Sequence, residues 1–506
     1  MIDRLRCAPS DDLWYGSLLL AQLLLVWFTP YFPTQDGPSH LYNAAILHDL
    51  LNGGKEWGEY YRYELKAVPN LGFNLIVFPL LFVVKPLVAE KLFLTIYLIL
   101  TGLSASFFLS TFAPGKPRTA QLLVVPVVFN YTLMMGFYSY AIAVPVFLCA
   151  FSLAWRIRTR PVYVQFVFCT IAGIVIYFLH LIPFIFFLIS LSIIAVTESK
   201  ETVSPIRFFI RRIAMMLPLV GLLIFYLASN GSSNQSVDFS YLLSVGRLLL
   251  LVADLFTFST VTLSPLQLVP AAIGMFVALV LTVSLAKDCR SGRLTLDPGQ
   301  KTALFLAAVL TVIYLLAPFR FGGGSFFNNR FPWVILLVLL PLFACVSDRA
   351  GTVVRIGLIS AGILSVMLNV FIFRQQSDDV SAFLSGLRSG CAKGEGVMLY
   401  RTSRPEWPKI DVLVHAPSYY GIFNGCVNLG NYEIGQSYFP VRFRNDLSPL
   451  PTAQMFAYGR GEMDFSKYPA VSQVIGWDLK PDERLNLNKQ FDRTYVNDKL
   501  SLWIRR

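Results

Sequence analysis

The chain has 506 residues, 55% of them hydrophobic and only 14% charged, with a mean hydropathy of +0.59, against roughly a quarter charged in a soluble domain. That balance is not a soluble domain's and describes a polytopic membrane protein. The formal net charge of +12 would suggest nucleic acid in a soluble chain. Here Lys and Arg fall in short clusters between apolar runs, where they orient spans, and this argues against nucleic-acid binding.

A spanning helix needs about 20 predominantly apolar residues. The first such run, Leu13 to Pro30, follows a weakly basic start and has no small-x-small cleavage site after it, so it reads as an uncleaved anchor. Further runs fall near 91–112, 119–136, 138–155, 162–179, 180–197, 208–228, 264–286, 301–318, 331–347 and 353–373, and two stretches, 71–86 and 241–258, are ambiguous. Loop charge arbitrates. The group Arg156, Arg158 and Arg160, the group Arg207, Arg211 and Arg212, the Lys287 to Lys301 loop and the pair Arg349 and Arg355 should all be cytoplasmic, so an even number of spans separates them. That parity holds if 241–258 does not cross, and a short outer-leaflet helix at 71–86 puts Lys116 and Arg118 inside too. The expectation is about eleven spans, with the N-terminus cytoplasmic and four outer features: 31–90, 229–262, 319–330 and everything after 374. All four histidines, His40, His48, His180 and His415, then fall in outer loops or at outer span ends.

After Arg374 the sequence turns charged and rich in Gly and Pro, with short apolar runs such as Val397-Met398-Leu399-Tyr400. The fold expected is therefore a membrane α bundle over 1–373, with outer juxtamembrane helices in its 31–90 loop, followed by a mixed α/β extracytoplasmic domain over 374–506. Cys391 and Cys426 are the only cysteines in that exposed region, and an oxidising compartment would bridge them. No internal repeat, low-complexity tract or inverted symmetry is visible.

As drawn, no span carries Asp, Glu, Lys or Arg in its interior. Ion-coupled transporters place ionisable residues or broken helices near the midplane, so the spans read as a scaffold for outer loops. The first outer loop opens with Thr34-Gln35-Asp36-Gly37-Pro38-Ser39-His40. An aspartate held at the membrane surface by Gly and Pro, next to a histidine, suggests chemistry on a lipid-borne substrate. It also fits a plain helix N-cap, since Asp-Gly-Pro is a good start signal.

One span, a long outer loop beginning with an acid, juxtamembrane helices, a hydrophobic bundle and an extracytoplasmic C-terminal domain together resemble the GT-C superfamily of integral-membrane glycosyltransferases. The resemblance covers the whole chain, and its specific signature is the Asp36 loop. It implies transfer of a sugar from a polyprenyl-phosphate carrier to a lipid-linked or cell-envelope acceptor on the outer face of the membrane, here a bacterial inner membrane. Asp36 occupies the position of the family's catalytic first-loop acid, which takes the acceptor's proton. Several branches carry a second acid at the turn that here reads Met134-Met135-Gly136-Phe137-Tyr138-Ser139-Tyr140, and this turn has none. One loop carboxylate makes no hard-cation cage unless substrate phosphate completes it, so no metal or other cofactor is expected.

A polyprenyl-phosphate leaving group needs a cation. Arg330 ends the loop that begins at Phe319, whose glycines let backbone N–H groups approach an anion, and Arg320 and Asn329 of the same loop join it as candidate substrate ligands. The plainer role for Arg330 is to reach lipid headgroups. His40, four residues after Asp36, is a candidate to orient the acid or contact the donor, or else an exposed helix residue. His180, at the turn of the 162–197 hairpin, is a candidate phosphate or acceptor ligand, or else a helix-end residue. Arg247 and Asp254 on one face of 241–258 read as structural partners of neighbouring elements. Two other function classes stay open: a transporter or scramblase of a lipid-linked envelope glycan, and a non-enzymatic assembly partner.

Overall fold

The computed structural model describes residues 9–199, 205–230, 244–319, 325–401, 409–436, 438–444 and 463–506. In chain order its elements begin with α1 (Pro9–Phe28), α2 (Gly37–Leu51), β1 (Tyr61–Tyr63), α3 (Gly72–Leu80) and α4 (Pro86–Phe112). A 3₁₀ segment, Thr119–Val127, precedes α5 (Tyr131–Met134), α6 (Tyr138–Arg156), α7 (Val162–Leu179), α8 (Leu181–Ser199), α9 (Pro205–Ala214) and α10 (Leu217–Asn230). Then come α11 (Val245–Phe256), α12 (Leu268–Arg290), α13 (Pro298–Leu316), α14 (Pro332–Ala344) and α15 (Ser347–Phe383). The C-terminal elements are β2 (Gly396–Arg401), α16 (Pro417–Asn424), β3 (Val427–Asn428), β4 (Val441–Phe443), β5 (Gln473–Trp477), a short helix Pro481–Leu487, β6 (Phe491–Asn497) and β7 (Leu500–Arg505).

Among the described residues seven helices are long and apolar enough to cross a membrane, and the apolar segments Thr119–Met134, Leu217–Ser229 and Asn328–Ala344 are shorter. The protein is a polytopic membrane α fold with a small C-terminal sheet, and length and composition support seven of the roughly eleven spans expected. Two expected spans are broken for visible reasons. In 119–136, Pro126 lies inside the 3₁₀ segment, and Asn130 accepts the Thr132 N–H at 3.0 Å to start a new turn. In 208–228 the chain stops at Ala214 and restarts at Leu217, where Pro218 sits in the first turn and cannot extend a preceding helix.

The charge-free interior is also corrected. Helix α4 begins at Pro86, five residues before the expected edge, so Glu90 and Lys91 are inside a long apolar helix and Glu90 is only 1% exposed.

The chain divides into two compact units. One comprises the described residues through Leu25, Thr95–Thr132 and Ser139–Asn369. In it α7 and α8 form a hairpin, α13 packs on both α8 and α14, and α14 covers the 3₁₀ segment. Its apolar core includes Phe147, Phe151, Leu310, Tyr314 and Trp333, all buried. Helix α13 starts with a capping box: Asp297 accepts the Gln300 N–H at 2.9 Å, and Gln300 Oε1 accepts the Asp297 N–H at 3.0 Å. Arg247 of α11 donates to the terminal carbonyls of Leu315 and Ala317, closing the other end of α13.

The second unit comprises Val26–Leu94, Leu133–Tyr138 and Val370–Arg506. Its sheet runs β3-β2-β5-β7-β6, with β2 parallel to β3 and β5, and β7 antiparallel to β5 and β6. Every residue of β2 is buried, as the continuous apolar run of an inner parallel strand requires. The same hydrophobic core takes in Met398, Tyr400, Val474 and Trp503 of the sheet together with Tyr42, Ile46 and Leu47 of α2. A second link joins these distant stretches of sequence: β1 pairs antiparallel with β4, Tyr61 opposite Phe443 and Tyr63 opposite Val441.

Cys391 and Cys426 are disulfide-bonded with Cα atoms 6.0 Å apart. The Tyr42 hydroxyl donates to the Cys426 carbonyl at 2.6 Å, so the bridge also steadies α2. Alkylation of the native protein should leave both cysteines unlabelled until reduction. Replacing both by Ser should cost about 4 kcal/mol through the lost 35-residue loop closure, read as a lower thermal midpoint.

Candidate functional site

Asp36 stands at the N-cap position of α2, but its backbone is helical (φ −93°, ψ −11°) rather than extended, and its carboxylate makes no capping hydrogen bond. The side chain turns instead into a buried polar cluster of the second unit, where Asp36 is 6% exposed. Gln35 Nε2 donates to Oδ1 at 3.3 Å, the Tyr432 hydroxyl donates to Oδ2 at 3.3 Å, and His415 Nε2 lies 3.5 Å from Oδ1. One turn along α2, His40 Nδ1 is 2.9 Å from Glu433 Oε1. The rings of Phe73, Tyr138, Tyr432 and Phe439 surround His40 at 5.7 to 6.5 Å.

Each charge state follows from this packing. Burial is the main force lifting the Asp36 carboxyl, to about 6; the charge of His40 and the Gln35 and Tyr432 hydrogen bonds oppose it, and Glu433 adds to it. Burial alone would depress His40, but the Glu433 carboxylate, by charge and hydrogen bond, reverses that and holds the ring above its ordinary value. Burial, and after it the charge of His40, pushes His415 down to about 3. At neutral pH Asp36, near 6, is mainly ionised and His415, near 3, is neutral, while His40 is more basic than an ordinary histidine.

The backbone brings these groups together through glycine. The N–H groups of Gln35 and Asp36 donate to the carbonyls of Met134 and Met135, both at 3.0 Å. Gly136 has φ +89°, and a Cβ there would sit 2.7 Å from the Gly37 nitrogen. A Cβ on Gly37 would in turn strike Thr34 Oγ1 and the Tyr138 hydroxyl, which donates to Glu90 Oε1 at 2.7 Å. On the far side, Asn43 of α2 and Asn431 exchange side-chain hydrogen bonds at 3.0 and 2.9 Å, anchoring the turn that carries Tyr432 and Glu433. That turn follows β3, and Arg401, whose partner Asp411 precedes His415, ends β2. The cluster thus gathers at the carboxyl ends of two parallel strands, where open α/β sheets place ligand sites.

The other residues singled out in the sequence lie in the first unit. His180 follows α7 in an extended conformation, its Nδ1 accepts the Ile182 N–H at 3.1 Å, and its ring meets Tyr140 at 5.2 Å, so it satisfies a helix junction. Burial and the nearby Arg330 hold it well below the usual histidine range. Arg330 lies 5.9 Å from the Tyr140 ring centre and donates to the Ser325 carbonyl at 3.3 Å, while the Tyr140 hydroxyl donates to the Arg330 carbonyl. Asn329 donates to Asp254 Oδ2 at 3.2 Å. Arg320 lies outside the described residues. Among the described residues no group of three or more His, Cys, Asp or Glu side chains converges as a metal site.

Sequence reasoning missed Glu433, Tyr432, His415 and Glu90 as members of the cluster. Glu90 had a signal, because Pro86 is a first-turn proline that moves the helix start upstream. Glu433 had none, being tied to His40 by a pairing almost 400 residues away. Removing it leaves a buried imidazolium without its counter-charge. Glu433→Gln should cost about 3–5 kcal/mol by thermal denaturation, with the loss greatest below the ordinary histidine pKa and shrinking as pH rises through the raised folded-state value.

No family model matches the sequence, and no curated protein matches it. The structure is similar to that of ArnT from Cupriavidus metallidurans in the apo state, with TM-score 0.54 and 12% identity over 97% of each chain. It is also similar to the same protein bound to undecaprenyl phosphate, with TM-score 0.51 and 12% identity over 97% of each chain. This chain therefore has an ArnT-like membrane fold over nearly its full length.

Proposed function

We propose that the protein is a glycosyltransferase that moves a sugar from a polyprenyl-phosphate carrier to a hydroxyl of a lipid-linked or cell-envelope acceptor, with Asp36 as general base. One observation carries this reading: a carboxylate at a helix N-terminus that does not cap the helix, is buried, and instead accepts hydrogen bonds from Gln35 and Tyr432. In the reaction the acceptor oxygen bonds to the anomeric carbon as the bond from that carbon to the phosphate oxygen breaks. The acceptor proton passes to Asp36, and the electron pair leaves with the carrier phosphate. A carboxyl near 6 is a stronger base than an ordinary one yet releases its proton again at neutral pH. His40, its Nδ1 taken up by Glu433, orients and stabilises the base rather than contacting the donor. Arg330 is the residue we assign to a phosphate-bearing ligand, because it presents a guanidinium beside an aromatic ring. The undecaprenyl phosphate bound by the similar ArnT supports a polyprenyl carrier.

Asp36→Asn should abolish transfer of labelled sugar from lipid to acceptor in membranes while raising the thermal midpoint. The folded-state carboxyl sits about two units above its ordinary 3.8, so its ionisation costs stability as pH rises through that window, up to about 3 kcal/mol at neutral pH. Wild-type transfer should fall on acidification through about pH 6 as the base is protonated. Retained transfer by Asp36→Asn would refute the assignment.

We further place the 31–90 loop on the outer face of a bacterial inner membrane, with the N-terminus cytoplasmic and the 374–506 domain extracytoplasmic. Lys55, exposed after α2, tests this. Lys55→Cys should react with an impermeant maleimide in intact spheroplasts, whereas labelling only after lysis would reverse the orientation.

A further inference from the structure

Gln35, the residue before the base, is 9% exposed and bonded at both ends of its amide. Its Oε1 accepts the backbone N–H of Asp411 at 3.2 Å. A backbone amide is only a donor, so this contact fixes which end of the Gln35 amide is oxygen and turns the NH₂ toward Asp36 Oδ1 at 3.3 Å. The Asp411 loop is itself braced. One guanidinium nitrogen of Arg401, the last residue of β2, donates to both Asp411 oxygens at 2.9 and 2.8 Å. Asp411 Oδ1 also accepts the Leu413 N–H at 3.1 Å, the local turn that short acidic side chains make with the residue two ahead. Both partners of the Arg401 pair are buried, at 8% and 6% side-chain exposure. An ion pair so enclosed is geometrically demanding, and its net contribution to stability is small or negative, so its value lies in fixing position.

We propose that Arg401, Asp411 and Gln35 form a positioning relay that carries the register of the β2 strand end to the Asp36 carboxylate and holds that carboxylate in one orientation toward the acceptor. The relay rests on the assignment of Asp36 as base and deepens it, because Arg401 and Asp411 reach the base only through Gln35, and Gln35 acts by its hydrogen bond to the Asp36 carboxylate. Two stretches far apart in sequence, 35–36 and 401–411, meet in one hydrogen-bonded line. The direction of every bond in that line is set by a group that cannot reverse its role: a guanidinium donates, a carboxylate accepts and a backbone N–H donates. Gln35→Glu would place a second carboxylate against Asp36 and an acceptor against the Asp411 N–H, keeping the anchor while replacing the donor by a like charge.

The test uses the full-length protein in membranes, with radiolabelled polyprenyl-phosphate-linked sugars of the host as the probe donor. Transfer is followed across about pH 5 to 8 for wild type, Gln35→Ala, Gln35→Glu and Arg401→Lys, with Asp36→Asn as reference. Gln35→Ala should lower kcat roughly tenfold to a hundredfold with little change in KM. Its acid limb should move to higher pH, because the lost hydrogen bond favoured the ionised carboxylate. Gln35→Glu should move the limb further the same way, and Arg401→Lys should shift it in the same direction by less. Infrared titration of the purified protein, with the Asp36→Asn spectrum subtracted, reads the same carboxyl without any substrate. An unchanged limb, or a loss equal at every pH, would overturn the relay while Asp36→Asn remained inactive. Transfer retained by Asp36→Asn would instead overturn the assignment of the base, whatever Gln35 does.

Discussion

The second unit is organised around the burial of one carboxylate. Taking an ionised acid out of water is costly unless donors and counter-charges replace its hydration. Asp36 draws those from three places: Gln35 beside it, Tyr432 after β3, and the charge of His40 one helical turn away. Each supporter needs its own support. His40 is held more basic because Glu433 faces it, Gln35 points correctly because Asp411 holds its oxygen, and the Tyr432 turn stays in place through the Asn43 and Asn431 exchange. Residues from the first polar loop and from the last third of the chain thus belong to one core, and β1 pairing with β4 is the backbone expression of the same requirement.

What could be read from the sequence depended on whether the signal was local. The apolar runs gave a polytopic α fold, and Val397 to Tyr400 gave a strand, because hydrophobic periodicity and composition are properties of a short window. Asp36 stood out for the same reason, with Gly37 and Pro38 marking a turn and a helix start. The runs at 119–136 and 208–228 read as single helices by hydropathy, which is blind to Pro126 and Pro218; composition alone does not say which prolines break a helix, since α6 continues through Pro145. His415 and Glu433 were out of reach. Their meaning lies in partners close to 400 residues away, and neither spacing nor composition encodes a pairing at that range.

The competing readings of Asp36 as a cap or as a functional acid are separated by backbone geometry alone. A capping side chain requires an extended N-cap residue so that its oxygen can reach the amides of the first turn. Asp36 is helical in φ and ψ, a conformation allowed because Met134 and Met135 hold its neighbouring N–H groups and Gly136 leaves room for the chain to pass. The first-turn amides of α2 lose one ligand, and Pro38 softens that loss because it has no N–H to satisfy. The start of α2 therefore gives up some local stability to direct a carboxylate inward, which is the usual relation between a functional site and the element that carries it.

The charge balance of the cluster limits the chemistry it can serve. Asp36 and Glu433 set two carboxyl groups against one strengthened imidazole base, His40, while burial drives His415 to its neutral form and the Arg401–Asp411 ion pair is closed on itself. A cluster with more carboxyls than cationic partners disfavours a bare phosphate and favours a neutral ligand that donates a hydrogen bond and then yields a proton. Under the proposed reaction that ligand is the acceptor hydroxyl, not the donor's phosphate.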